Sequence, residues 1–162
     1  MFQRKLAIYE KIIKRPIIYI DESGFAVDAP RNRGYSQKGS RCYGIKDWHC
    51  KGRVNAIGAI RNFKFLSICL FDGNINSDVF YAWVIQELLA KVPPHSVIVL
   101  DNATFHKRND IITAIEQQGH ILLFLPPYSP DLNPIEKKWA QAKSIRRKLR
   151  CSPDKLFLCS EL

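Results

Sequence analysis

The chain has 162 residues, of which 46% are hydrophobic and 25% charged. That balance excludes wholesale disorder and fits one soluble globular domain, which buries roughly 70% of its unfolded surface without disulfide staples. Lys and Arg number 25 against 15 Asp and Glu, a net charge of +10, which points to a polyanionic partner, nucleic acid ahead of an anionic membrane surface, although a solvated basic face explains the same excess.

Phe2, Leu6, Tyr9 and Ile13 recur at helical spacing, so the first fifteen residues read as a short amphipathic helix that Pro16 ends. Ile17–Ile20 reads as a buried strand ending at Asp21. Residues 24–53 mix Gly, Arg and Lys with single aromatics and read as an extended loop. Val54–Ile60 and Lys64–Phe71 are β-rich runs that predict a hairpin, followed by an Asp72-Gly73-Asn74 turn. Ser77 to Ala90 follow helical spacing, with Val79, Trp83, Leu88 and Leu89 inward and Asn76 or Ser77 as the cap. Val97–Leu100 is a second apolar strand, ending at Asp101. Asn109 to Gln118 predict a helix closed by Gly119, and Ile121–Leu125 a third strand. The last helix runs from about Pro134 to Leu149, with Ile135, Trp139, Ala142 and Leu149 on its core face. This order predicts an α/β fold with some parallel pairing through crossover helices. No apolar run approaches the roughly 20 residues that span a bilayer, and no signal peptide is expected.

Two acids, Asp21 and Asp101, stand where apolar strands end, and the carboxyl ends of strands are where open α/β sheets bind ligands. Either one alone reads equally as a turn residue. A third acid, Glu136, falls in the first turn of the last helix, with Asn133 as N-cap and Pro134 as N1; there a capping box explains it as well as catalysis does. Three converging carboxylates repel, by about 4 kcal/mol for each pair at 4 Å and an effective dielectric of 20. Divalent cations offset that repulsion, and hard oxygen ligands suit Mg²⁺ or Mn²⁺. On this argument, Asp21→Asn or Asp101→Asn leaves the stability of the metal-free protein unchanged or raises it.

Three segments carry a specific resemblance: Asp21-Glu22-Ser23-Gly24-Phe25, Asp101-Asn102-Ala103-Thr104-Phe105-His106, and the twelve residues from Leu125 to Glu136, LPPYSPDLNPIE. They resemble the catalytic core of DDE transposases of the mariner-type superfamily, which includes bacterial insertion-sequence members. The 34 residues between Asp101 and Glu136 match that group's spacing. The resemblance implies a ribonuclease H-like fold, with a mixed central β-sheet flanked by helices and with Asp21 and Asp101 on neighbouring strands. It implies that Asp21, Asp101 and Glu136 are the catalytic residues and hold two Mg²⁺ or Mn²⁺ ions. The implied reaction is cleavage of DNA at transposon ends and transfer of the freed 3′-hydroxyl into target DNA. Asn102 and His106 match the second motif as supporting residues. Glu22, on the strand face opposite Asp21, is not expected in the site.

By the same resemblance, residues 1–15 form a linker helix, 16–150 the catalytic domain with a clamp-like loop at 24–53, and 151–162 a tail of unknown role. The implied partners are DNA, a second copy of the chain in a dimer, and a separately encoded helix-turn-helix part; no membrane is involved. The implied location is cytoplasmic, on the nucleoid in a bacterium. Basic residues cluster in the loop, including Lys38 and Arg41, and on the last helix, including Lys137, Lys143, Arg146 and Arg147; these are the candidate DNA contacts. Lys143 and Arg147 follow Glu136 by seven and eleven residues and extend along its side of the helix. Five Cys without a Cys-x-x-Cys pair read as reduced thiols, with Cys42, His49 and Cys50 the one grouping that suggests zinc. Two alternatives stand beside the transposase: another nuclease of ribonuclease H-like fold, and a non-enzymatic DNA-binding or oligomerisation remnant.

Overall fold

The computed structural model describes residues 1–26 and 52–158. Lys38, Arg41, the Cys42–Cys50 grouping and most of the expected clamp-like loop lie outside the described residues. The strands β1 (Ile17–Ala26), β2 (Arg53–Arg61), β3 (Lys64–Asp72), β4 (Val97–Leu100) and β5 (Ile121–Phe124) form one sheet in the order β3-β2-β1-β4-β5. β1, β2 and β3 pair antiparallel, while β1 pairs with β4, and β4 with β5, in parallel. The hairpin between β2 and β3 turns on Asn62 and Phe63, both at positive φ, as a two-residue turn matched to strand twist requires.

Among the described residues six α-helices cover the sheet: α1 (Phe2–Ala7), α2 (Ser77–Trp83), α3 (Leu89–Lys91), α4 (Asn109–Gln117), α5 (Ile135–Leu149) and α6 (Pro153–Leu158). Strand alternation sorts the core. Ile18, Ile20, Ile98 and Leu100 face Phe80, Trp83, Val84 and Leu88 from the α2 region, with Ile111 and Ile115 of α4. On the other face, Phe25, Ala56 and Ile60 meet Ile135, Trp139 and Ala142 of α5 and Leu156 of α6. Val97 and Val99 pack there against Phe2, Leu6 and Tyr9 of the N-terminal helix. The unbroken apolar runs of β1 and β4 are thus explained by burial on both faces. Among the described residues, no helix is long and apolar enough to cross a membrane.

One glycine sets how closely α5 approaches. Gly58 of β2 stands opposite Asp21 of β1. A Cβ there would lie 2.6 Å from Trp139 Cη2 and 2.8 Å from Cζ2, so only glycine lets the indole lie on the sheet.

Several expectations are corrected. β1 does not end at Asp21; it continues to Ala26 because β2 goes on pairing with it as far as Ala26 and Arg53. What ends near Asp21 is the parallel pairing, which runs from Ile17↔Val97 to Tyr19↔Val99. The N-terminal helix widens into a π-helical turn over Ile8–Ile12, and the inserted residue carries Ile13 off the packed face, leaving it 49% exposed. In the second helix Trp83 and Leu88 are buried as expected and Val79 and Leu89 pack half-buried against the same core, where Phe80 and Val84 join them; the helix widens into a similar turn at Val84–Leu88. On α5, Leu149 is exposed and Arg146 is buried instead. The chain turns at Arg150 into the left-handed region, and Arg146 Nε donates to the Cys151 carbonyl at 3.1 Å, which ties the helix end to the segment after it. The tail is part of the core: Phe157 meets Phe25 edge-on at 5.5 Å and Phe65 at 6.0 Å. Cys69 and Cys151, the cysteines among the described residues, are free thiols.

Candidate active site

An open cleft of about 430 Å³ lies beyond the end of β4. Asp21, Asp101 and Glu136 all line it, with Asn102, Ala103, Asn133 and the segment from Leu125 to Pro130. Three elements deliver the acids. Asp21 projects from β1 on the α5 side of the sheet, the face shared by Tyr19 and Phe25. Asp101 follows the last residue of β4. Glu136 sits in the first turn of α5.

The start of α5 shows why Glu136 is free to face the cleft. The helix begins at Ile135, one residue later than the proline suggests, and the buried Asn133 Oδ1 accepts from the Ile135 N–H at 3.4 Å. A capping box would turn the Glu136 carboxylate back to the Asn133 N–H. That N–H already donates to the Pro130 carbonyl at 2.9 Å, within a short 3₁₀ turn over Pro130–Leu132. The carboxylate is therefore not needed to close the helix. At the rim, Tyr128 is fully exposed on a left-handed backbone.

The electrostatics divide the two aspartates. Burial, and then the charges of Glu22, Glu136 and Asp101, push the Asp21 carboxyl up to about 7, against a backbone hydrogen bond from Glu22 that lowers it. Asp101 is held below its ordinary value, chiefly by a hydrogen bond from His106 and further by the Ala103 N–H. Burial alone would depress His106. Hydrogen bonds to Asp101 and Glu22, with the charges of both, outweigh it and raise the imidazole to about 9. At neutral pH both ring nitrogens therefore donate. The expected stability gain is thus confined to Asp21, since Asp101→Asn removes the charge that pairs with this imidazolium.

His106 does not line the cleft. It is fully buried behind Asp101 on a 3₁₀ turn over Thr104–Lys107, with Nδ1 2.6 Å from Asp101 Oδ1 and Nε2 2.8 Å from Glu22 Oε1. Glu22 does lie on the strand face opposite Asp21, as alternation requires, yet it reaches the site through His106. No local sequence signal joins residues 84 apart. The turn is pinned from the far side by Arg108, which donates to Ser77 Oγ at 3.1 Å and Asp110 Oδ1 at 2.8 Å and pairs with Asp78.

The basic residues of α5 divide. Lys143 is half-buried, with Nζ 5.4 Å from the Phe25 ring centre, and Arg147 is exposed. Lys137 lines a different cleft with Phe2, Leu6, Glu10 and Ile60, and Arg146 is turned inward.

The donor set of the cleft fits a hard divalent cation: three carboxylates face one opening, and Asp21 is raised first by burial and then by neighbouring negative charges whose repulsion such an ion relieves. Among the described residues, no three His, Cys, Asp or Glu side chains already stand in a metal-holding cluster, so ion binding requires the carboxylates to draw in.

Comparison with known proteins bears on the fold and the family. The chain resembles a paired-end complex of Mos1 transposase with the left transposon end, at a TM-score of 0.69 and 17% identity, covering 89% of this chain and 46% of that one. It resembles the mariner Mos1 paired-end complex with Mg at 0.69 and 18%, covering 98% and 53%. Against the catalytic domain of Mos1 mariner transposase the values are 0.62 and 17%, covering 90% and 69%. The chain spans about half the length of the first two. These likenesses show the fold, a mixed five-stranded sheet flanked by helices of the ribonuclease H-like kind. No curated protein matches in sequence. The sequence pattern of the DDE superfamily endonucleases matches residues 16–157, past the limit of 150 expected from the motifs, and the chain belongs to that family.

Proposed function

We propose that the protein is the catalytic part of a transposase, which cleaves DNA at transposon ends and joins the freed 3′-hydroxyl to target DNA. The observation that carries this reading is the convergence of Asp21, Asp101 and Glu136, from three separate segments, on one cleft of a DDE-family chain. The three carboxylates would hold Mg²⁺ or Mn²⁺, two ions per site; the similar Mos1 paired-end complexes contain Mn in one case and Mg in another. When bound, such ions acidify the attacking water or hydroxyl and stabilise the leaving oxygen of an in-line displacement.

The chain's own residues do the rest. The paired middle of β1, the end of β4 and the Trp139-anchored helix α5 carry the three acids on a fixed backbone frame. Asn102 and the Pro126–Pro130 segment wall the cleft on the substrate side. Lys143 and Arg147 hold the backbone phosphates that lead into it. The protein acts as a dimer, with a separately encoded helix-turn-helix part reading the transposon ends, in the cytoplasm and, in a bacterium, on the nucleoid.

Purified protein should nick or join plasmid DNA only when Mg²⁺ or Mn²⁺ is supplied, and Asp101→Asn should abolish this. Activity in that variant, or in the presence of a chelator, would overturn the mechanism, and inactivity of the wild type under every metal would favour the non-enzymatic remnant. Replacing Lys143 and Arg147 together with Gln should weaken DNA binding for all sequences alike and flatten the dependence of log Kd on log salt by about 2, one phosphate for each residue. An unchanged slope in a filter-binding titration would remove these residues from the DNA path.

A further inference from the structure

Asp101 is held unusually firmly for a residue at a strand end. The Ala103 N–H donates to its Oδ1 at 3.0 Å, and His106 Nδ1 donates to the same oxygen at 2.6 Å. Both donors converge on Oδ1, which leaves Oδ2 as the oxygen available to a cation. The imidazole cannot be displaced by water, because it has no exposed surface and the rings of Phe80 and Phe105 stand 4.5 and 4.1 Å away. Those apolar contacts fix the plane of the ring but give it no polar hold. Its remaining nitrogen, Nε2, donates to Glu22 Oε1 at 2.8 Å.

We propose that Glu22 is a positioning residue: by holding His106 it fixes the Asp101 carboxylate in the rotamer that meets a divalent cation. Glu22 reaches under the sheet end from the face opposite Asp21, so it touches neither the cleft nor the substrate. It completes a chain, Glu22–His106–Asp101, with the buried imidazole at its centre, that sets one ligand of the site before any ion arrives. This inference rests on the divalent-cation reading of the cleft. Residues that orient a metal ligand in this way characteristically account for about 10- to 100-fold in metal affinity or activity.

Two substitutions separate reach from charge. Glu22→Gln keeps an oxygen at the same reach and removes the charge. Glu22→Asp keeps the charge and draws the oxygen back by about one C–C bond, 1.5 Å, out of hydrogen-bond range of Nε2. The readouts are the Mn²⁺ dissociation constant of the purified chain, from the electron paramagnetic resonance signal of free Mn²⁺, and the melting temperature. Glu22→Gln should bind Mn²⁺ within about 3-fold of wild type, whereas Glu22→Asp should bind it about 10-fold or more weakly. In DNA nicking the Asp variant should lose kcat with the KM for DNA unchanged.

The opposite order would show that Glu22 supplies charge rather than position. Equal Mn²⁺ affinity in all three proteins, with only the melting temperature moved, would show a structural role; either result overturns the proposal. The Gln variant is decisive alone, since a tenfold loss there already refutes positioning by hydrogen bonding. A wild type that binds no Mn²⁺ would overturn the cation reading itself, a result distinct from the other two.

Discussion

Asp21→Asn should abolish metal-dependent DNA cleavage while making the metal-free protein more stable at neutral pH. The activity loss follows from removing one of three carboxylates that would hold the ions. Such ions contribute several kcal/mol to the transition state, and at 1.36 kcal/mol for each factor of ten the expected loss is about 10³-fold or more. The stability gain follows from the raised carboxyl. A group whose ordinary value is 3.8 and which titrates at about 7 in the fold holds its proton more tightly folded than unfolded. Its contribution to stability is fully present below about pH 4 and is lost as pH rises to about 7. At about 1.4 kcal/mol per unit, the ionised side chain costs the fold on the order of 4 kcal/mol at pH 8.

Asparagine keeps the shape without the charge, so the variant should melt above wild type at pH 8, with the difference closing towards pH 4. Mn²⁺ should raise the melting temperature of wild type, by about 2.7 kcal/mol of stability at 100 times its dissociation constant, and leave the variant nearly unmoved. A metal-free variant that melts below wild type at pH 8 would show that the structure relies on the Asp21 charge, and the repulsion argument would fall.

Trp139→Ala should cost about 3–5 kcal/mol, the range for truncating a buried Trp. The side chain is 2% exposed, and its ring centre lies 6.1 Å from Phe25, 5.4 Å from Phe65 and 6.4 Å from Phe157. It stands three residues after Glu136, so the protein that remains folded should also lose the register of that carboxylate and with it cleavage. The same contact can be strained from the other side. Gly58→Ala places a Cβ 2.6 Å from Trp139 Cη2 and should cost about 1–3 kcal/mol by overpacking. In a Trp139→Phe background, where that ring carbon is gone, Gly58→Ala should cost less than it does alone. Urea midpoints of the four proteins give the coupling; strict additivity would mean that Trp139 does not rest on Gly58.

Much of the frame could be read from local pattern. The apolar runs at Ile17 and Val97, the paired β-rich runs around Asn62, and the Asn133-Pro134 helix start each depend on neighbours a few residues away, and the elements formed where those neighbours dictate. The placing of Asp101 and Glu136 belongs to the same class, since each stands at the end of an element whose type the nearby residues decide, whereas β1 runs on past Asp21 to Ala26. Alternation along β1 likewise placed Glu22 on the face opposite Asp21. Local pattern failed where one residue changes register: the π-helical turn at Ile8–Ile12 moved Ile13 out, because packing rather than intrahelical spacing selects a wide turn. It failed again at the end of α5, where the segment after Arg150 decided that Arg146 goes in and Leu149 out.

By itself, then, the sequence determined the class of fold and marked the three acids as candidates, because short-range periodicity and turn chemistry carry that information; the bond from the Asn133 N–H to Pro130 that leaves Glu136 free of capping came from the structure. Only the tertiary structure decided that Asp21 is raised while Asp101 is lowered, and that Glu22 meets His106 at all. The first follows from how deeply the fold buries Asp21 and from the hydrogen bond between His106 and Asp101; the second joins residues 84 apart, a meeting set by the order of strands in the sheet, which no local spacing encodes.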